Sequence, residues 1–85
     1  SRMLVTLRYG SKPVPFGAIA VVNDTTGQTS IVGEAGEVYL SGINHRTVLR
    51  VKWGDEVYEE CRALLTPPAD TKGSAAVVRQ RVTCH

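Results

Sequence analysis

The residues best suited to covalent chemistry are two cysteines, two histidines and a few acids. Cys61, His45 and Asp55 could serve as nucleophile, base and orienting acid only if the fold brought them together. His45 lies in a polar segment that is typical of a turn, and Cys61 directly follows Glu59 and Glu60, whose charges disfavour a thiolate. The spacing of these residues therefore predicts no catalytic site, and the protein is not expected to be an enzyme.

A metal or phosphate site is equally poorly supported by the pattern. The soft ligands are Cys61, His45, Cys84 and His85, and the adjacency of the last two matches no closed zinc spacing. The glycines of segment 33–36 are interleaved with acidic residues and precede a predicted strand rather than a helix, so they would repel a phosphate. We expect no metal and no cofactor.

The two cysteines can also be considered as a structural pair. A chain of 85 residues forms one small domain, in which a hydrophobic core alone gives marginal stability. Cys61 and Cys84 lie 23 positions apart, and a bond between them would stabilise the fold by ~3 kcal/mol and indicate an oxidising compartment. Two buried free thiols, or one reactive thiol, are the alternatives at this point.

Charge and hydropathy exclude two classes of function. Ten basic and eight acidic residues give a net charge of +2, too small and too mixed for a nucleic-acid-binding surface. No apolar run approaches the ~20 residues that span a bilayer, and the first residues lack a signal-peptide core. We therefore expect residues 1–85 to be a single domain, cut from a longer exported protein, that does not itself insert into a membrane.

Short-range alternation of apolar and polar residues, with turn residues every eight to twelve positions, predicts an all-β sandwich. The predicted strands are 3–9, 16–23, 28–32, 37–41, 47–53, 57–65 and 74–83. The alternation points Phe16 inward in the second strand, Val38 and Leu40 in the fourth, and Leu49 and Trp53 in the fifth.

Some strands carry apolar residues on both faces. Leu4, Ile19, Val21 and Tyr58 fall on the predicted outward face. Either a second layer or a protein partner covers such residues, or a bulge shifts the face assignment by one residue.

Charged residues are concentrated in the predicted hairpin between the fifth and sixth strands. Four acidic residues in segment 55–60 are expected to lie opposite the outward Arg50 and Lys52. This arrangement predicts cross-strand ion pairs on a solvated face. A charged recognition patch is the alternative interpretation.

An ordered set of short motifs points to a family. The motifs are KPVPFGA (12–18), GEAGEVYLSG (33–42) and VKWG (51–54), followed by Cys61, a proline-bearing loop and Cys84. Together they cover nearly the whole chain, which resembles the C-terminal periplasmic domain of bacterial fimbrial outer-membrane ushers.

The resemblance implies a small seven-stranded immunoglobulin-like or transthyretin-like β-sandwich with one disulfide, Cys61–Cys84. It also implies a non-enzymatic module at the periplasmic face of the bacterial outer membrane, within an integral outer-membrane protein. Its partners would be periplasmic chaperone–fibre subunit complexes, which it holds during pilus assembly and secretion, and the barrel, plug and neighbouring C-terminal domain of the same usher. No nucleic acid is expected among its partners.

The outward apolar residues are our hypothesis for the docking surface: Leu4, Ile19, Val21 and Tyr58. The alternative function is an extracellular carbohydrate-binding or adhesive β-sandwich module, which would present exposed aromatic rings to sugars. The chain has one Trp, three Tyr and one Phe, and Trp53 is expected in the core.

Overall fold

The computed structural model describes residues 2–67 and 77–85, which form two sheets packed face to face. The strands are β1 (Arg2–Tyr9), β2 (Lys12–Pro13), β3 (Ile19–Val22), β4 (Thr29–Ile31), β5 (Glu37–Ser41), β6 (Thr47–Lys52), β7 (Glu60–Leu65) and β8 (Val78–Cys84). No α-helix occurs in this part of the chain. The predicted all-β sandwich is confirmed, with eight described strands instead of seven.

The first sheet, sheet A, is built around β1. This strand pairs antiparallel with β5 along its first half and with β2 at its end, and it pairs in parallel with β8. The second sheet, sheet B, has the order β4-β3-β6-β7 and is antiparallel throughout.

The core lies between the sheets and follows from strict alternation along the strands. In β1 the side chains of Met3, Val5 and Leu7 are fully buried, while the residues between them point outward. The remaining strand residues buried with them are Ala20, Val22, Val38, Leu40, Leu49, Val51, Cys61, Ala63, Leu65 and Cys84. The inward positions predicted for the fourth strand and for Leu49 are therefore confirmed.

One side of the sandwich is closed by covalent and hydrogen bonds between β7 and the end of β8. Cys61 and Cys84 form a disulfide, with a Cα–Cα distance of 5.4 Å. Next to it, the N–H of Arg62 donates to the carbonyl of His85 and the N–H of His85 donates to the carbonyl of Arg62, each at 2.8 Å. The last strand of sheet A is thereby fixed to the edge of sheet B.

The other side is closed by side chains. The Gln28 amide donates to the carbonyl of Ser41 at 2.7 Å, and its carbonyl accepts from the N–H of Ser41 at 3.0 Å. The Ser30 hydroxyl donates to the carbonyl of Tyr39 at 3.1 Å. These bonds occupy backbone groups of β5 that would otherwise form an open strand edge.

A turn corrects the prediction for Phe16. The N–H of Ala18 approaches the carbonyl of Pro15 at 3.3 Å, and Gly17 between them has φ of 89°. A positive φ at this position is the requirement of a type II turn, which glycine meets without strain. The turn places Phe16 ahead of the strand with 75% of its side chain exposed, so the inward position predicted for it was wrong.

The hairpin between β6 and β7 also differs from the prediction. Residues Val57–Glu59 form a 3-10 turn, in which the N–H of Glu59 donates to the carbonyl of Glu56 at 2.9 Å. The N–H of Trp53 donates to the carbonyl of Glu59 at 2.8 Å and joins the two arms of the hairpin. The Glu59 carboxylate accepts from the N–H of Glu56 at 3.2 Å. Strand β7 therefore begins at Glu60, three residues later than predicted. The predicted start of the last strand, at residue 74, lies outside the described residues.

The segment 33–42 contains a position that only glycine fits. The 3-10 turn Glu34–Gly36 leads into β5, and both Ala35 and Gly36 have positive φ, 58° and 76°. A Cβ atom on Gly36 would collide with the carbonyl oxygen of Leu7 and lie 3.2 Å from the backbone nitrogen of Val14. This turn packs directly against the end of β1, which explains the glycine.

We expect replacement of both cysteines by alanine to lower the free energy of unfolding by ~3 kcal/mol, because the open chain regains the entropy of the closed loop. Urea unfolding of the oxidised protein and of the Cys61→Ala/Cys84→Ala variant measures the difference. Thiol labelling of the native protein should give no signal. A variant as stable as the oxidised protein would contradict this role of the bond.

We expect Gly36→Ala to lower the free energy of unfolding by more than the ~1–2 kcal/mol that an alanine with left-handed backbone angles costs. The reason is that the new methyl group also collides with the backbone of β1. Gly42→Ala is the matched control, because Gly42 has φ of 68° and open space around it. Both are measured by urea unfolding. If both variants lose the same free energy of unfolding, the contact with β1 does not contribute to stability.

Candidate interaction surface

The residues considered for covalent chemistry are not assembled into a site. Both cysteines are consumed in the disulfide, and His45 lies exposed in the loop between β5 and β6. Within residues 2–67 and 77–85, no group of three His, Cys, Asp or Glu side chains is placed to hold a metal ion. No helix among the described residues is long and apolar enough to cross a membrane.

A tightly bonded carboxylate lies in the turn between β3 and β4. Oδ1 of Asp24 accepts from the hydroxyl of Thr26 at 2.6 Å, from its N–H at 2.9 Å and from the N–H of Gly27 at 3.1 Å. The bond from the Thr26 hydroxyl, aided by the two backbone bonds, lowers the pKa of Asp24 below its ordinary value of 3.8. This carboxylate serves the turn.

The outer face of sheet B carries a small apolar cluster. Ile19 of β3 lies directly opposite Ile31 of β4, and Val21 follows two residues along β3 on the same face. Ile19 is 41% exposed and Ile31 is 55% exposed, while Val21 is half-buried. We call Ile19, Val21 and Ile31 the sheet B patch.

Basic side chains lie beside this patch on β6 and β7. Across the sheet, Ile19 lies opposite Lys52 of β6, which lies opposite Glu60 of β7. Val21 lies opposite Arg50 of β6, which lies opposite Arg62 of β7. A cavity of about 940 Å³ opens over this face. Its lining includes Ile19, Val21, Arg50, Lys52, Trp53, Val57, Glu60, Arg62 and His85.

The register corrects the predicted ion pairing. Lys52 does lie opposite an acid, Glu60, but Arg50 lies opposite Arg62. The late start of β7 explains the difference, because the 3-10 turn takes Glu59 out of the ladder and uses its carboxylate inside the hairpin. The prediction of an acidic partner for Arg50 was therefore wrong.

The outer face of sheet A carries a second apolar cluster. Leu4 of β1 lies between Tyr39 of β5 and Arg79 of β8. Leu4 is half-buried and Tyr39 is 48% exposed. We call Leu4 and Tyr39 the sheet A patch. A hollow of about 330 Å³ adjoins Leu4 and is lined also by Arg79 and Arg81.

The four residues of the docking hypothesis thus fall into three places. Ile19 and Val21 lie together in the sheet B patch, Leu4 lies on the opposite outer face, and Tyr58 lies in the 3-10 turn of the hairpin with 65% of its surface exposed. Sequence reasoning missed Ile31 and Tyr39. Tyr39 lies between buried Val38 and Leu40, and Ile31 lies between half-buried Ser30 and buried Val32. Alternation alone could have placed them outward, but only the strand register places them beside Ile19 and Leu4.

Trp53 is not a free aromatic surface. It is half-buried and packs against the core, and its ring meets that of Tyr9 edge to face with centroids 5.4 Å apart. The predicted core role of Trp53 is confirmed in part, since it lies at the margin of the core.

Both outer faces of the sandwich present apolar side chains for contact. On the sheet B face, these side chains also lie beside a concavity that is lined by basic residues.

Comparison with known proteins identifies this architecture. Residues 4–69 match the family model described as the PapC C-terminal domain. The outer membrane usher YraJ of Escherichia coli K12 is 41% identical over 86 residues, and the usher LpfC of Salmonella typhimurium is 39% identical; each alignment covers 99% of this chain. The chain spans about a tenth of the length of these curated relatives, 10% in both.

Two solved structures are similar over the whole chain. The C-terminal domain of the Caf1A usher aligns with a TM-score of 0.87 and 31% identity, covering 99% of this chain and 96% of that one. That domain is reported to carry conserved hydrophobic clusters on its surface that are important for F1 antigen assembly. The C-terminal domain of the PapC usher aligns with a TM-score of 0.67 and 25% identity, covering 99% and 98%. The chain belongs to the family of usher C-terminal domains.

Proposed function

We propose that this chain is a non-enzymatic docking module of an outer-membrane usher, which holds periplasmic chaperone–subunit complexes during assembly and secretion of pili or fimbria-like fibres. Its relatives are outer membrane ushers, which supports a role in the chaperone/usher pathway and a place in an outer-membrane protein. We place the domain on the periplasmic side, where chaperone–subunit complexes arrive.

The observation that carries the proposal is the sheet B patch. Two opposed isoleucines lie exposed beside a concavity, in a domain whose core is already filled by other side chains. Grouped apolar side chains left outside a filled core mark surfaces that protein partners cover. The surface hydrophobic clusters reported for the Caf1A domain, a structural neighbour of this chain, support the same assignment.

The sheet A patch lies on the opposite outer face, so one partner cannot cover both patches by a single flat contact. We assign Leu4 and Tyr39 to the contact with another domain of the same usher, whether barrel, plug or neighbouring C-terminal domain. Tyr58 lies at the hairpin end of the sheet B face and is assigned to the rim of the chaperone–subunit contact. Two faces would let the domain stay attached to the usher while it binds and releases the complex.

We expect Ile19→Asp to weaken binding of the chaperone–subunit complex by about 30-fold, which corresponds to loss of a central apolar contact of ~2 kcal/mol. The new carboxylate lies opposite Lys52, so the fold should tolerate it. Titration calorimetry with the purified complex measures affinity, and urea unfolding measures stability.

The matched control is Tyr39→Asp, a comparably exposed strand residue on the opposite face. It should leave affinity for the complex unchanged. If Ile19→Asp binds like the original protein, or loses affinity only in proportion to lost stability, the sheet B patch is not the docking surface.

A further inference from the structure

Two arginines on the outer face of sheet B lie directly opposite each other. Arg50 of β6 and Arg62 of β7 are register partners in an antiparallel ladder. The N–H and carbonyl of Arg62 both bond to His85, so they point away from β6. Arg50 and Arg62 therefore form a non-hydrogen-bonded pair, the closer of the two kinds, with Cα atoms roughly 4.5 Å apart in such ladders.

No acid within the described chain neutralises this pair. On the same face of β6 and β7, the two cross-strand pairs that neighbour the arginines are Lys52 with Glu60 and Val48 with Leu64. Neither Arg50 nor Arg62 forms an ion pair with a carboxylate of residues 2–67 or 77–85.

Among the described residues, three carboxylates line the cavity: Asp24, Asp55 and Glu60. Glu60 lies opposite Lys52. The carboxylate of Asp24 is held by its own turn. Like charges directly opposite on a sheet destabilise it, so the pair weakens the free protein. A cost of this kind is offset when a carboxylate from outside the chain accepts hydrogen bonds from both guanidinium groups.

We infer that Arg50 and Arg62 form a carboxylate-binding pair that selects a protein partner carrying an acidic side chain next to aliphatic ones. The inference rests on the proposed function, because the partner is the one that covers the sheet B patch. Val21 lies opposite Arg50 across β3 and β6, and Ile19 lies opposite Lys52. Each apolar residue therefore has a cationic side chain as its neighbour on the next strand. One strand or helix of a partner can meet both.

This surface fits a protein better than a membrane or a free anion. Its arginine and lysine side chains lie on two adjacent strands, beside Ile19 and Val21 in the cavity, which matches a pattern of protein side chains more closely than a layer of headgroups. Complementary charge of this kind fixes register and suppresses wrong partners. The pair would thus supply specificity, while the isoleucines supply apolar contact.

The test is the variant Arg50→Gln/Arg62→Gln, titrated with the purified chaperone–subunit complex at low and at moderate salt. We expect the Kd to rise about tenfold or more at low salt and to depend less on salt, since charge-assisted bonds are lost. We expect the Tm to stay unchanged or rise by up to about 4 °C, because a like-charge pair is removed. Arg62→Lys, which keeps the charge but loses the planar fork, should show a smaller loss of affinity.

The matched control is Arg79→Gln/Arg81→Gln, which removes the same charge from the outer face of sheet A. It should leave the Kd within about threefold of the original, because rim charges far from the contact act mainly through long-range attraction. Equal weakening in the two double variants would overturn the inference and leave only a general attraction.

Other outcomes separate the inference from the function on which it rests. If Ile19→Asp abolishes binding while Arg50→Gln/Arg62→Gln keeps the original Kd and salt dependence, the carboxylate pair is wrong and the docking surface stands. If both variants bind like the original protein, the proposed function of this face fails. Two further results would overturn the inference, each with unchanged affinity for the complex. If the double variant loses concentration-dependent self-association, the pair binds a second copy of the chain. If it loses binding to phosphatidylglycerol vesicles, the pair binds lipid.

Discussion

The architecture depends on the connection between the last strand of sheet A and the edge strand of sheet B. The Cys61–Cys84 bond fixes the end of β8 beside β7, and reciprocal backbone bonds between Arg62 and His85 continue the join. Because β8 pairs in parallel with β1, this connection also fixes the strand at the centre of sheet A relative to sheet B. In a chain of 85 residues the hydrophobic core is small, so we expect this closure to contribute a large share of the stability.

The same closure determines which surfaces are available for binding. The Arg62–His85 bonds on one side and the Gln28–Ser41 bonds on the other occupy backbone groups at the edges. Exposed side chains on the two outer faces are accessible for specific contact. The apolar residues of these faces and the arginine pair of β6 and β7 are the features that we propose for partner recognition.

Much of the fold was predictable from sequence, because burial in a strand follows a period of two. Met3, Val5 and Leu7 illustrate this, and the cysteine pair had one way to bond. What failed depended on local turns. Gly17 reverses the chain just after Phe16, and Glu59 caps a 3-10 turn that delays β7. Strand register depends on such turns, so alternation could not show which side chains lie opposite one another.

The central claim is that the outer face of sheet B is the docking surface for the chaperone–subunit complex. Methyl NMR of the isotope-labelled chain, recorded while the unlabelled complex is added, tests it most directly. The account predicts the largest shift changes at the methyl groups of Ile19, Val21 and Ile31, with small changes at Leu4 on the opposite face. Large changes at Leu4 with an unperturbed sheet B patch would contradict it.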